Sequence, residues 1–504
     1  METEIEIKFF FNAQFTSELY EKINLQHVIS TKKQCLNNVY FDTGKRLLRK
    51  MDMGLRVRSC DNKSVQTIKT AGRVIGGLHQ RPEYNEPIEG LRPELARFKS
   101  KIWPADCDIK QLQDQLLPIF RTDFNRQTWL IEMPGDTLIE VAYDSGFIET
   151  NMGKKDICEI ELELLKGDEE QLFVLGKDIA TLPQVRLGNV SKAQRGYMLA
   201  DGSTFNVKPL IPSPLTKSMS VEQALMTNLQ HGLQHIQYHE YCYLESFDDA
   251  ALYQLLTGIK FLHQNIKTFK NAVPRLLTAN WLDSLHWLAR TFSWFDERFI
   301  QQSILEDRGF YIRKLPQPKS LIQKLEKQLN ELPDQQAIQE ILSSTRYCQF
   351  VLALTQWLIQ FEKNIFFSEQ TNSIEPFAKA VLESGWQELK QVGSNKTFSI
   401  KQLLSYQGLL ESNLLLGACV DNLFPVEKSA AFHSPWLDIR RGNTELAMVN
   451  VIAEHAELET DEVLQNEYLK WVKRKQDSLV RALQQSKNQA MSKENYWHNN
   501  GNNS

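Results

Sequence analysis

The first 200 residues contain repeated short segments in which charged and apolar residues alternate. In the segment EIEIKFF, the charged residues Glu4, Glu6 and Lys8 are separated by isoleucines. Side chains of a β-strand alternate between two faces, so these three residues share one face and apolar residues share the other. Taken alone, the segment predicts an antiparallel strand with one solvated face.

Later segments repeat this alternation, and each charged face carries mainly one sign of charge. The segment GLRVRS places Arg56 and Arg58 on one face, whereas EIELEL presents a face of three glutamates. Further charged faces occur in the segments QTIKT, HQRPEYN and EVAYD. A solvated sheet face usually mixes neutral polar residues with charges, so this segregation favours an enclosed site.

Closure of these strands into a barrel with the charged faces inward would bring carboxylates and cations together. Each buried charge costs on the order of several kcal/mol unless it is compensated. Carboxylate oxygens bind hard cations such as Mg²⁺ or Mn²⁺, and arginine and lysine bind phosphate oxygens. The pattern therefore indicates metal-assisted phosphoryl transfer.

Composition limits the other classes of protein. The chain has 504 residues, 42% of them hydrophobic, which predicts a globular protein of two or three domains. A net charge of -4 gives no general basic field, so neither nucleic acid nor a membrane surface is an expected partner. The seven scattered cysteines contain no CxxC pair, and no signal peptide or membrane-spanning run is apparent. These features predict a cytoplasmic protein.

The hydrophobic period changes near residue 205. Residues 1–204 have the short alternating pattern of an antiparallel β domain, and the proline-rich residues 205–218 are expected to form a linker. Residues 219–486 show apolar residues every three or four positions, which predicts packed helices. The polar, asparagine-rich residues 487–504 are expected to be a disordered tail. The predicted fold class is therefore a multidomain α+β protein.

The charged segments resemble the motifs of triphosphate tunnel metalloenzymes, also called CYTH proteins. EIEIK matches the ExExK signature of that family, and the segments that follow in family order are LRVR, QTIKT, LHQRPEYN, RTDFNRQTW, EVAYDSG, EIELEL and SKAQRGY. The resemblance implies an eight-stranded antiparallel tunnel that binds a linear triphosphate and metal ions. Asn85 departs from the pattern, since relatives often have a further glutamate after RxE.

The resemblance also implies roles for individual side chains. Glu4, Glu6, Lys8 and Lys192 are expected to be catalytic, the two lysines through stabilisation of the leaving group. The expected ligands of one or two Mg²⁺ or Mn²⁺ ions, or their close neighbours, are Glu4, Glu6, Glu140, Asp144, Glu159, Glu161 and Glu163. The expected triphosphate-binding cations are Lys8, Arg56, Arg58, Lys69, Arg81, Arg126 and Lys192.

The helical half resembles a CHAD domain, and the combination is similar to bacterial CYTH-CHAD inorganic triphosphatases. The characteristic CHAD helix should read like VHQLRVGIRRLRS, but this chain has LYQLLTGIKFLHQ, with Leu256 and Phe261 at positions of expected cations. Binding of long polyphosphate is therefore expected to be weakened. His231, His235 and His239 have helical spacing, and surface or packing roles are favoured over a metal site.

The predicted function is metal-dependent hydrolysis of tripolyphosphate to diphosphate and phosphate. Three alternatives use the same tunnel on an organic triphosphate: a class IV adenylate cyclase, a thiamine triphosphatase or a nucleoside triphosphatase. A fourth alternative is a non-catalytic scaffold that binds polyphosphate through its helical half.

Overall fold

The computed structural model describes residues 2–60, 63–308, 311–365, 372–393 and 400–498. The chain forms two compact units. The first unit comprises Met1–Asn206 and Gln339–Ile359, and the second comprises Val207–Ile338 and Gln360–Ser504.

The first unit is built on one antiparallel sheet that closes on itself. Its strands are β1 (Glu2–Phe10), β2 (Val28–Thr43), β3 (Gly54–Cys60), β4 (Lys63–Lys69), β5 (Arg73–Ile75), β6 (Leu78–Ile88), β7 (Leu116–Met133), β8 (Thr137–Thr150), β9 (Gly153–Lys166) and β10 (Arg186–Leu187). The order β1-β9-β8-β7-β2-β3-β4-β6 returns to β1, because β1 also pairs with β6. The predicted eight-stranded antiparallel barrel is confirmed, and the short strands β5 and β10 extend its rim.

The apolar faces of the strands lie outside the barrel and are covered by helices and loops. Ile7, Ile160 and Leu162 are completely buried on this outer face. The helices in this part of the chain are α1 (Thr16–Asn24), α2 (Leu47–Lys50), α3 (Ile109–Asp114), α4 (Glu170–Ile179) and α5 (Lys192–Ala200). Helix α4 packs on the outer side of β1 and β9. Helix α5 instead contacts β7, β8 and β9 on their inner side, where Tyr197 packs against Phe120 and where Phe124 and Ala193 line the lumen. Burial of the apolar faces outside leaves the charged faces directed into the barrel.

The rest of the chain is helical, as predicted. Its helices are α6 (Val221–Ser246), α7 (Asp249–Phe269), α8 (Leu282–Thr291), α9 (Phe295–Leu305), α10 (Lys319–Glu331), α11 (Gln335–Leu342), α12 (Thr345–Ile365), α13 (Ile374–Val392), α14 (Ile400–Val420), α15 (Val426–Glu457) and α16 (Glu462–Ser492). A capping box begins α6, in which Ser220 Oγ accepts from the Gln223 amide and Gln223 Oε1 accepts from the Ser220 amide. Among the described helices, none combines the length and the apolar character that a membrane span requires.

The segment 339–359 is part of the first unit, although the sequence pattern assigned it to the helical domain. Gly176 on α4 approaches Leu352 on α12 closely, since a Cβ at Gly176 would lie 3.4 Å from Leu352 Cδ2. A helical period indicates that one face of a helix is buried, but it does not identify the surface that buries it.

The predicted disordered tail is wrong for residues 487–498. Helix α16 continues to Ser492, and both Tyr496 and Trp497 are buried. Tyr496 Oη donates a hydrogen bond to Asp421, and Trp497 Nε1 donates to Glu383 Oε2 at 2.8 Å. Two aromatic side chains thus order a segment whose average composition is polar. Residues 499–504 lie outside the described residues.

Candidate active site

The barrel of the first unit encloses a cavity of about 350 Å³. Most of the charged residues that the sequence singled out line this cavity. They are Glu4, Glu6, Lys8, Arg56, Arg58, Lys69, Arg81, Arg126, Glu140, Glu161, Glu163 and Lys192. Asp144 and Glu159 do not line the cavity and are completely buried in its wall.

Four carboxylates, Glu4, Glu6, Glu140 and Glu163, form what we call the acidic cluster. The strand register places Glu163 of β9 opposite Glu6 on β1 and opposite Glu140 on β8. Directly opposed residues in an antiparallel sheet are close neighbours, and like charges at such positions repel. Burial raises the pKa of Glu163 to about 8, and the nearby charges of Glu4 and Glu6 add to the effect. The acidic cluster therefore has too little positive charge around it.

The two glutamates of the ExExK motif have different electrostatic surroundings. Burial raises the pKa of Glu4, although its contact with Lys69 opposes the shift. For Glu6, burial is again the largest single influence and acts in the same direction, but Lys8, Lys69 and other nearby groups together outweigh it and the pKa falls below the ordinary value. Lys8 Nζ lies 3.5 Å from Glu6 Oε1. Lys69 Nζ also lies 2.9 Å from Glu83 Oε2, so its charge is shared between two carboxylates.

Arginines on β3 and β6 form a cationic part of the cavity lining. Arg58 Nε donates to Asn38 Oδ1 at 2.8 Å, a neutral acceptor. Burial, together with the charges of Arg56 and Arg126, lowers the pKa of Arg58 to about 9. The Nε atoms of Arg56 and Arg81 are buried and have no hydrogen-bond partner within the described part of the chain. Donors of this kind are suited to the oxygens of a phosphate group.

Asp144, Glu159 and Glu161 form a second carboxylate group, which we call the lysine socket. Lys192, the first residue of α5, extends its ammonium group into it. Lys192 Nζ lies 2.7 Å from Asp144 Oδ2 and 3.0 Å from Glu161 Oε1, and it also forms an ion pair with Glu159.

Three further cations contact the lysine socket. Arg126 donates to both carboxylate oxygens of Asp144 at 2.7 Å and to Glu161 Oε2 at 2.6 Å. Arg195 Nη2 donates to Glu159 Oε2 at 2.6 Å. Lys8 Nζ donates to Glu161 Oε1 at 2.7 Å. Although burial opposes the shift, Lys192, Lys8 and Arg126 hold the pKa of Glu161 well below its usual range.

Both carboxylate groups have features of a cation site. One oxygen from each member of the lysine socket lies within 4.8 Å of the others, a spacing that a metal ion could use. The acidic cluster instead lines the cavity directly and has fewer cations in contact with it. Carboxylate oxygens are the protein ligands that Mg²⁺ and Mn²⁺ prefer, so the donor type fits such ions in both places.

Sequence reasoning missed His79, which lines the cavity on β6 opposite Glu6. Its Nε2 donates to the Gly188 carbonyl oxygen at 3.0 Å, and burial lowers the pKa of His79. The alternation of β6 could have identified it, because His79, Arg81 and Glu83 share one face. Arg195 belongs to the SKAQRGY motif, but sequence reasoning assigned it no role, since that role depends on its contact with Glu159 on a distant strand.

The CHAD-like helix α7 uses its altered positions for packing and ion pairs. Leu256 and Phe261 are buried apolar residues. Lys260 Nζ lies 3.4 Å from Asp296 Oδ1 and 3.8 Å from Glu411 Oε2. The cations that the family pattern would present to a polyanion are therefore replaced or already paired at these positions.

The histidines on α6 make the contacts of packing residues. His231 Nε2 bonds to the Ile211 carbonyl oxygen at 2.9 Å, and His239 Nε2 accepts from the Lys208 amide at 3.2 Å. Burial lowers the pKa of His235 to about 3, and its two histidine neighbours reinforce the shift. These interactions favour the packing interpretation over a metal site.

The closed antiparallel barrel with a charged lumen places the first unit in the class of tunnel-like β-barrel domains. Residues 2–197 match the model of the CYTH domain, and residues 227–411 match the model of the CHAD domain. The chain therefore carries a CYTH domain followed by a CHAD domain, as the motifs predicted.

A curated relative and two solved structures resemble parts of the chain. An inorganic triphosphatase of Haemophilus influenzae is 38% identical over 198 residues, which cover 39% of this chain and 54% of the relative. The chain thus spans about half the length of that relative.

The first solved structure is a Hippeastrum adenylyl cyclase candidate with a dominant triphosphatase activity (18% identity, 40% of this chain, 97% of that chain, TM-score 0.30). The second is the CHAD domain of Ricinus communis (15% identity, 56% of this chain, 97% of that chain, TM-score 0.43). At these TM-scores neither likeness bears on function.

Proposed function

We propose that the chain hydrolyses inorganic triphosphate to diphosphate and phosphate with Mg²⁺ or Mn²⁺ as cofactor. One observation carries the proposal: a single cavity contains Glu163, which has no cation partner among the described ion pairs, and Arg58, whose described hydrogen bond goes to a neutral amide. A complex of triphosphate with divalent metal supplies both missing charges at once. The activity of the Haemophilus influenzae relative supports the same substrate.

The acidic cluster is the proposed metal site, with Glu4, Glu6, Glu140 and Glu163 as ligands. A bound metal ion polarises phosphoryl oxygens and lowers the pKa of its water. The arginines of β3 and β6 bind the phosphate oxygens, and the Nε atoms of Arg56 and Arg81 are buried donors without a described hydrogen-bond partner. Lys8 and Lys192 stabilise the diphosphate leaving group, because charge develops there as the phosphoanhydride bond breaks.

The cavity lining favours inorganic triphosphate over organic triphosphates. Its volume of about 350 Å³ is at the lower end of the range for small-molecule sites, roughly 300–1,000 Å³. Charged residues from most of the barrel strands occupy its walls. A nucleobase or a thiazole ring would have to fit beside the phosphates against the few large apolar lining residues, Tyr40, Phe124, Leu164 and Leu165.

Longer polyphosphate is proposed as a weak ligand of the helical half, since α7 has lost unpaired cations at the altered positions. A cytoplasmic location is also proposed. It is supported by the free thiols of Cys35, Cys107 and Cys158 and of the buried cysteines among the described residues.

Separate Glu4→Gln and Glu6→Gln variants test the metal assignment. Each removes one carboxylate charge with little change of shape, and we expect phosphate release from tripolyphosphate with Mg²⁺ to fall by roughly 10²-fold or more. Glu132→Gln is the matched control, because Glu132 is exposed and, among the described ion pairs, contacts only the exposed His27. Circular dichroism confirms that each variant is folded.

A substrate panel separates the alternatives. Tripolyphosphate is expected to be hydrolysed faster than ATP or thiamine triphosphate, and a reversed order would assign an organic triphosphate instead. Full activity in both glutamine variants would refute the metal assignment. Tight polyphosphate binding without turnover by the wild type would support the scaffold alternative.

A further inference from the structure

We infer that Asp144, Glu159 and Glu161 form a binding site for the ammonium group of Lys192 rather than for a metal ion. The three carboxylates have the spacing of a metal site, but a side chain of the protein already occupies the position of the cation. The inference deepens the proposed function, on which its assignment of metal to the acidic cluster rests.

The charges around the lysine socket are already compensated. Three carboxylates contact four cations, which are Lys8, Arg126, Lys192 and Arg195. Asp144 and Glu159 are completely buried, so solvent does not screen these charges. A divalent ion would add positive charge to a group that is already positive in sum, and it would have to displace hydrogen-bonded donors.

The acidic cluster has the opposite balance. Among the described ion pairs, its four carboxylates contact only Lys69, through Glu4, and Lys8, through Glu6. Lys8 is closer to Glu161 of the lysine socket, at 2.7 Å, than to Glu6, at 3.5 Å. A divalent ion in the acidic cluster would therefore reduce a net negative charge. The acidic cluster is thus assigned to metal binding, and the lysine socket is assigned to the orientation of Lys192.

The fold holds Lys192 in this position from several directions. Ser191 Oγ accepts from the Gln194 amide at 3.1 Å and so fixes the start of α5 at Lys192. Arg195, three residues later on the same side of the helix, holds the second oxygen of Glu159. Asp144 and Glu161 approach from β8 and β9. The ammonium group is thereby directed toward the cavity that Lys192 lines.

Metal titration of the full chain without substrate tests the inference. We expect Glu163→Gln to bind fewer Mn²⁺ ions than the wild type by calorimetry, whereas Glu159→Gln keeps the wild-type number. Loss of an ion in folded Glu159→Gln would overturn the inference. An unchanged number in Glu163→Gln would instead refute the metal assignment of the acidic cluster, so the two failures are distinguishable.

Chemical rescue provides a second test that does not depend on the Glu159 variant. Lys192→Ala removes the ammonium group and leaves buried carboxylates, which lowers the melting temperature. Ethylammonium chloride is expected to restore part of this loss in Lys192→Ala and to leave the wild type unchanged, with sodium chloride as the ionic-strength control. An equal response of folded Lys192→Ala to ethylammonium chloride and to sodium chloride would overturn the inference.

Discussion

The acidic cluster and the lysine socket are two groups of carboxylates in the same barrel with opposite electrostatic surroundings. Glu161 and Glu163 are two residues apart on β9 and face the same side of the sheet. The pKa of Glu163 is raised to about 8, chiefly by burial, whereas cations hold the pKa of Glu161 well below its usual range despite burial. Residue type and strand position are therefore insufficient to define the role of a buried carboxylate.

The difference originates in the elements that face each glutamate. Glu161 receives Lys8 from β1, Arg126 from β7 and Lys192 from α5. Glu163 lies opposite Glu6 and Glu140, which carry the same charge. The protein thus contains one carboxylate group whose charges are compensated by cations and another in which like charges face each other.

The largest expected effect is on folding stability, and it has opposite signs at the two positions. Glu161→Gln removes one carboxylate contact from each of Lys8, Arg126 and Lys192 and is expected to destabilise the protein by up to about 3–5 kcal/mol. Glu163→Gln removes a repelled charge and is expected to stabilise the metal-free protein at pH 8. Urea unfolding of both variants in chelator measures the two changes. Equal destabilisation would remove the distinction between the groups.

A smaller effect is expected on the pH dependence of folding stability in the metal-free protein. The pKa of Glu163 rises from an ordinary value of 4.5 to about 8 in the folded protein. Between these values the folded state binds more protons than the unfolded state, so stability falls as pH rises and then levels off above pH 8. We expect Glu163→Gln to reduce this fall, with melting temperatures at pH 8 differing from the wild type by a few degrees. Saturating Mg²⁺ should also reduce it, because metal binding favours the ionised carboxylate.

The smallest expected effect concerns Glu140, whose charge raises the pKa of Glu163 less than burial and the charges of Glu4 and Glu6 do. Glu140→Gln should lower that pKa, so Mn²⁺ binding should reach half of its high-pH affinity at a lower pH. We expect a shift of less than one pH unit, measured by calorimetry across a pH series. A shift to higher pH would contradict the assigned repulsion.

Much of the barrel could be predicted from alternation and motif order. Arg56, Arg58 and Lys69 were assigned to inward faces from their positions in short strands, and each lines the cavity. His79 was missed although the same alternation applies to it. The alternation also places Asp144 and Glu159 on inward faces, but they form ion pairs with Arg126, Lys192 and Arg195 and do not line the cavity. Alternation along a strand does not predict such partners.

The helical half shows a different limit of sequence reasoning. The loss of signature cations on α7 was visible in the sequence, and burial of Leu256 and Phe261 explains what replaced them. The polar composition after residue 486 predicts disorder, but Tyr496 and Trp497 are buried and donate hydrogen bonds to Asp421 and Glu383. Average composition does not predict that two aromatic side chains will donate hydrogen bonds to carboxylates far away in the chain.

The sequence by itself determined the inward and outward faces of the strands, because side chains of a strand alternate whatever surrounds it. It also determined the set of charges that the barrel must accommodate. Only the tertiary structure decided which carboxylates meet cations and which meet each other. That choice depends on barrel register and on the position of α5, and electrostatic energy depends on distances between groups that lie far apart in the chain.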